Sequence, residues 1–292
     1  MSEDEPIYHV DGELVPASAA TVSVRDRGFL YGDAAFETIR AYGGEPFEWA
    51  AHADRLAGTC ELLGIDHGIG RADLRARIDE TLAANELADA YVRLSVTRGV
   101  QPGKLTPGPA EDPTVVVIVA ELPPGGPDGE AVWDGPARAT VADTRRIPDA
   151  ALPARAKTHN YLNGILARLE CRASDAEEAL VLDEAGRLTE GATSNLFFVA
   201  DGTVHTPSLD GPVLPGVTRR VVLGLAREAG IPVEEGRYAP EDLFGAEEAF
   251  LTNTTWELRP LAAVDGTAIG GGPVTDRLVR AFDERVAAHY AD

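Results

Sequence analysis

The segment ELPPGGPDGE, residues 121 to 130, constrains this 292-residue chain more than any other stretch. Its three prolines remove backbone donors and fix φ, and its three glycines leave the backbone loose, so neither a helix nor a ladder strand runs through it. The chain is therefore expected to fold on either side of a break, as an N-terminal domain over 1–120 and a C-terminal domain over 131–292.

The periodicities on both sides are mixed. YHVDGELV reads as a hairpin turning at Asp11-Gly12. Leu56, Cys60 and Leu63 recur at helical spacing between His52 and Leu63, and a second helix is predicted from about Asp73 to Asn85. Strands are predicted at Tyr91–Thr97 and Thr114–Ala120, the latter a nearly unbroken β-branched run. Past the break a strand is expected near Val132–Ala142. In KTHNYLNGILARLE, Leu162, Ile165, Leu166 and Leu169 then repeat as a helix stripe. Further strands are read at Glu178–Leu182, Asn195–Val199 and Thr203–His205. A helix carries Val217, Val221 and Leu225 inward, a strand ends near Thr252, and a last helix covers Thr275–His289. Runs of strands with few βαβ alternations indicate an α+β class with mostly antiparallel sheets.

Charge removes several functions. With 26 basic and 48 acidic residues the net charge is −22, the opposite of the basic surface that phosphate neutralisation requires, so no nucleic-acid partner is expected. Self-repulsion of this size calls for screening ions, which points to a salt-rich cytoplasm. The 44% hydrophobic content is enough for a substantial core. No stretch is long and apolar enough to span a membrane, and with so acidic a start no signal peptide is expected. Cys60 and Cys171 form no metal or redox motif.

Phosphate-loop, GxGxxG, HExxH and GxSxG patterns are missing, and the six histidines show no metal-ligand spacing, so no metal is expected. Lysine usage is more informative. Of 26 basic residues only Lys104 and Lys157 are lysines, leaving 24 arginines. A retained lysine needs a role that arginine cannot fill, such as imine formation or proton transfer. Lys104 lies in a Pro/Gly loop and reads as a surface or lid residue. Lys157 stands where a loop meets an apolar helix, a position suited to a Schiff-base amine. A pyridoxal phosphate (PLP) enzyme would also need an acid for the ring nitrogen and an anion site. Glu190 in LTEGATSN, the helix start Val217-Thr218 in LPGVTRR, and Arg55 in AHADRL could supply these, though each is also an ordinary acid, helix start or helix arginine.

Taken in order, DRGFLYGDAAFETIR, HADRL, YVRLSVTRG, AKTHNYLNGILARLE, LTEGATSNLFFV, TPSLDGPVLPGVTRR and EEAFLTNTTWELRPL resemble the class IV aminotransferase family, the fold-type IV PLP enzymes. The resemblance implies a two-domain, D-amino acid aminotransferase-like α+β fold, PLP bound through Lys157, Glu190 at the pyridine nitrogen, and a homodimer acting on a small molecule. It implies Arg55, Val217, Thr218 and Thr254 at the phosphate, and Tyr161 beside the ring hydroxyl. Tyr31, Arg93, Arg98, Asn253 and Thr255 would face the substrate, Arg98 having a structural ion pair as its alternative. Thr38 in FETIR, with KTHNYLN, TPSLD and FLTNTTWELRP, looks most like 4-amino-4-deoxychorismate lyases, where such a threonine acts near the leaving group. Tyr91-Val92-Arg93 and GGPVTDRL look instead like branched-chain aminotransferases. Against so acidic a background, Arg55 and Lys157 are expected to carry the anionic cofactor.

Overall fold

The structure, a computed structural model, describes residues 5–123 and 133–290. Residues 124–130 of the expected break and the start of the strand expected at Val132 lie outside the described residues. The chain forms two compact units. The first holds the described residues up to 123 together with 156–160, and the second holds 133–155 and 161–290. The five residues around Lys157 thus belong with the N-terminal unit, although they lie beyond the break in sequence.

The first unit contains strands β1 (Ile7–Val10), β2 (Glu13–Pro16), β3 (Ala34–Tyr42), β4 (Glu45–Pro46), β5 (Ala90–Thr97) and β6 (Val115–Glu121), with helices α1 (Arg27–Tyr31), α2 (Trp49–Leu63) and α3 (Arg71–Ala84). Its sheet is antiparallel throughout, in the order β2-β1-β6-β5-β3-β4. Alternation sorts the side chains of β3. Ala35, Ile39 and Ala41 join Leu56, Cys60, Ile78 and the apolar face of β5 and β6 in one core under α2 and α3. Phe36, Thr38, Arg40 and Tyr42 point to the other face. Gly32 ends α1 in the left-handed conformation at φ 68°, which lets the chain turn directly into β3.

The second unit holds β7 (Ala137–Val141), α4 (Leu162–Glu170), β8 (Glu178–Leu182), β9 (Leu188–Gly191), β10 (Asn195–Ala200), β11 (Thr203–Pro207), α5 (Val217–Glu228), β12 (Val233–Gly236), α6 (Pro240–Phe244), β13 (Glu248–Asn253), β14 (Glu257–Val264), β15 (Thr267–Ala268) and α7 (Pro273–Tyr290). Among the described residues its sheet runs β12-β11-β10-β13-β14-β7-β8-β9, with β15 on β14. Three pairs are parallel: β11 with β12, β14 with β7, and β7 with β8. The α+β class holds, but β7-α4-β8 is a crossover unit that the strand runs did not reveal. The buried carboxylate of Glu248 accepts from Thr275 N and Oγ1, both at 2.7 Å, and from Val274 N at 3.1 Å, so it caps the start of α7.

Helix α4 forms where periodicity places it, yet its apolar stripe does not face the unit's core. Leu162, Ile165, Leu166 and Leu169 are all exposed, whereas Ala167 is buried. The helix docks through small residues: Ala167 packs with Ala179 and Val181 of β8, and a Cβ on Gly164 would stand 3.3 Å from Ala192 O.

Candidate active site

Lys157 is held by strand pairing. Phe36 N donates to Lys157 O at 3.0 Å, His159 N donates to Ala34 O at 3.0 Å, and Ala35 bridges Thr158. The segment 156–160 therefore adds itself to the free edge of β3, which fixes the lysine in register with that strand. Lys157 N also donates to Thr59 Oγ1 at 3.1 Å, and Thr59 Oγ1 donates to Arg55 O at 2.9 Å, tying the lysine to α2. The Lys157 ammonium lies 4.4 Å from the centroid of Phe36, and the Arg93 guanidinium carbon lies 3.9 Å from the same centroid. Thr38, two residues along β3 on the Phe36 face, pairs with Arg93 across the ladder. His159 stands edge-on to Phe36 with its centroid 5.5 Å away, and burial together with the Arg93 charge holds its imidazole down at about 4.

On the opposite face of β3, Glu37 is fully buried. Arg55 reaches it with both arms of its fork, Nε to Oε1 at 2.8 Å and Nη2 to Oε2 at 2.6 Å. His52 Nδ1 lies 2.8 Å from Oε2. Burial alone would raise the Glu37 carboxyl, but the Arg55 charge and the hydrogen bonds from Arg55 and His52 outweigh it and hold the group at about 2. Burial keeps His52 low despite the pull of Glu37, so its imidazole is neutral at physiological pH and donates through Nδ1–H. Arg55 is thus a charge-compensated donor.

The remaining predicted residues of this unit are placed as follows. Arg98 is buried and donates to Asp33 through Nε at 2.7 Å and Nη2 at 3.1 Å, to Gly64 O at 2.7 Å and to Leu63 O at 2.6 Å. That is the ion-pair alternative drawn from the sequence, with four donor contacts committed to the scaffold. Tyr31 ends α1, with the Arg27 guanidinium carbon 4.9 Å from its ring centroid. Arg27 also donates to Lys104 O at 2.6 Å and Leu105 O at 3.0 Å, anchoring the loop that carries the second lysine.

In the second unit Glu190 lies on β9, almost wholly buried. Arg146 Nε donates to its Oε1 at 2.9 Å, while Leu214 N at 2.9 Å and Asn195 Nδ2 at 3.4 Å donate to Oε2. Asn195 Nδ2 also donates to Leu214 O at 3.0 Å, linking the glutamate to the loop that leads into α5. That helix opens at Gly216 with no side-chain cap, leaving Val217 and Thr218 in its first turn. A Cβ on Gly216 would run into Asn195 Oδ1. Thr252, cross-strand partner of Asn195, has a buried hydroxyl with no hydrogen-bond partner. Thr254 and Thr255 lie in the turn after β13, where Asn253 Oδ1 accepts from Thr255 N at 3.0 Å, Thr255 Oγ1 at 3.1 Å and Trp256 N at 2.6 Å. Tyr161 leads into α4.

The uncapped first turn at Val217 and Thr218 fits the phosphate of PLP, and a buried carboxylate with a fixed orientation fits its ring nitrogen. Sequence reasoning missed Glu37, His52, Thr59, Arg146 and Asn195. One signal was available: His52, Arg55 and Thr59 recur at i, i+3, i+7, a polar stripe on an otherwise apolar helix.

The family model for amino-transferase class IV matches residues 34–264. The chain is 38% identical over 280 residues to a putative branched-chain-amino-acid aminotransferase of Methanocaldococcus jannaschii, covering 94% of this chain and 95% of that one. Among solved structures it resembles the T.th. branched-chain amino acid aminotransferase with pyridoxamine 5'-phosphate, at TM-score 0.90 and 31% identity, covering 98% and 96% of the two chains. It also resembles the 4-amino-4-deoxychorismate lyase of Pseudomonas aeruginosa, at TM-score 0.80 and 32% identity, covering 93% and 96%. The chain belongs to the class IV aminotransferase family. It is accordingly a PLP-dependent enzyme of fold type IV, acting on a small molecule. Among the described residues no helix is long and apolar enough to cross a membrane.

Proposed function

We propose that this enzyme is a 4-amino-4-deoxychorismate lyase, releasing 4-aminobenzoate and pyruvate. The observation that supports this reading is Thr38, whose hydroxyl-bearing side chain shares a face of β3 with Phe36, the ring that carries the Lys157 amine and the Arg93 guanidinium. Two residues along a strand is about 7 Å, a spacing at which a small substrate above Phe36 would span both positions. In this reading Lys157 holds PLP, Arg55, Val217, Thr218 and Thr254 hold its phosphate, and Tyr161 lies by its hydroxyl. Glu190, oriented by Arg146, Leu214 N and Asn195, meets its ring nitrogen. When bound, PLP supplies an electron sink that makes the substrate's amine-bearing carbon acidic. The Lys157 amine removes the proton from that carbon. Lys157 or Thr38 gives a proton to the departing enolpyruvyl group, and aromatisation of the ring drives its loss. Arg93 and the turn at Asn253–Thr255 receive the carboxylates, and Tyr31 closes the substrate side.

A second reading, an aminotransferase for branched-chain or D-amino acids, draws on the higher structural similarity to the branched-chain enzyme. One assay separates the two. Incubation with aminodeoxychorismate alone should yield 4-aminobenzoate and pyruvate in equal amounts. Turnover that requires leucine or D-alanine with 2-oxoglutarate would refute the lyase. We further infer a homodimer, because Leu162, Ile165, Leu166 and Leu169 present an apolar stripe that a second copy would cover, and a cytoplasmic setting, for which the net charge of −22 argues.

A further inference from the structure

Arg55 poses a physical difficulty. A phosphate site in a chain of net charge −22 gains from local positive charge, yet apart from Lys157, whose charge reaches His52, the trio Glu37, His52 and Arg55 adds none. The Glu37 carboxylate is ionised far below neutral pH, His52 is neutral, and Arg55 contributes a single positive charge, so the three sum to zero. What the cluster supplies instead is orientation. Glu37 accepts both Nε and Nη2, which fixes the plane of the guanidinium, and His52 fixes the carboxylate from a third direction. Glu37 in turn is set by the register of β3, the strand that also sets Lys157.

We propose that Glu37 and His52 are positioning residues that turn Arg55 from a mobile cation into a fixed, charge-compensated donor for the cofactor phosphate. This rests on the reading that Arg55 meets that phosphate. Two consequences distinguish the arrangement from a bare arginine. A net-charge attraction weakens as the screening length falls from about 10 Å at 0.1 M to about 3 Å at 1 M salt, whereas hydrogen bonds from a fixed fork at contact distance are much less affected. Neutralising Glu37 should therefore leave a stronger but unaimed charge, with poorer phosphate selectivity in high salt.

The test is the affinity ratio of PLP to pyridoxal for the apoprotein, measured by equilibrium titration at about 0.1 M and about 1 M KCl. Pyridoxal lacks the phosphate, so the ratio isolates that group from folding and from Lys157. In the native chain the ratio should change less than about threefold across this range. In Glu37→Gln it should fall about tenfold below native at the higher salt, with pyridoxal affinity unchanged. His52→Gln should shift the ratio in the same direction by less. A Glu37→Gln ratio equal to native at both salts would overturn the proposal. A native ratio falling more than about tenfold with salt would do so too, even if the variants do not fold. If Arg55→Met leaves the native ratio unchanged, the placement of Arg55 at the phosphate fails, and the proposal fails with it.

Discussion

The contact between Arg146 and Glu190 gives the sharpest stability prediction. Glu190 is 9% exposed and Arg146 19% at the side chain. Removing one partner of a fully buried pair costs about 3–5 kcal/mol, because the other charge is left in a poor solvent. Here the cost should be smaller, since Arg146 keeps some access to water and Glu190 keeps Leu214 N and Asn195. For Arg146→Met we expect about 2–3 kcal/mol, a fall in the melting midpoint of about 3–5 °C for a chain of this size. Glu190→Gln should cost a similar amount by stranding the guanidinium. The double variant Arg146→Met with Glu190→Gln should lose less than the sum by about 1–2 kcal/mol. The measurement is thermal unfolding of the apoprotein at fixed pH and salt, followed by circular dichroism and by tryptophan fluorescence. Additivity of the two single effects within about 0.5 kcal/mol would refute the reasoning, since it would mean that the two groups do not sense each other's charge.

Two further outcomes follow from other parts of the chain. Burial, with Glu257 and Glu284 nearby, raises the Asp283 carboxyl to about 6, so the folded state binds its proton more tightly than the unfolded chain does. Stability should therefore fall as pH rises from about 4 to about 6. Asp283→Asn should be worth about 1 kcal/mol at pH 8 after allowance for solvent screening, and little near pH 4, as read from urea midpoints; a gain confined to low pH would reverse the sign. Leu166→Asp should shift sedimentation from dimer to monomer, and an unchanged sedimentation coefficient would remove the α4 stripe from the interface.

Much of this was legible in the sequence because it depended on local pattern. The Asp11-Gly12 hairpin, the Val115–Glu121 strand and the α5 stripe of Val217, Val221 and Leu225 are set by spacing, and they form where spacing puts them. The parallel pairing of β7 with β8 was not legible, since strand partners far apart leave no mark on period or composition. The direction of α4 was lost for a related reason. Its leucines announce a helix, but which face is buried was decided by the small residues Gly164 and Ala167, whose close approach needs a neighbour to be meaningful. Motif order singles out Lys157, Arg55 and Glu190 as candidates. Their supports, Glu37 and Arg146, are one acid among forty-eight and one arginine among twenty-four, and only proximity singles them out.

Strand β3 has a consequence for how such an enzyme can diverge. It meters Phe36, Glu37 and Thr38 alternately to two faces and holds Lys157 at its edge. Inserting or deleting one residue ahead of Phe36 would turn Glu37 away from Arg55 and Thr38 toward α2. Length change is thus closed to this strand as a route to new chemistry. Exchange of single side chains at a fixed count remains open, and position 38 is where such an exchange would alter the face shared with Phe36 while leaving the Glu37 anchor in place.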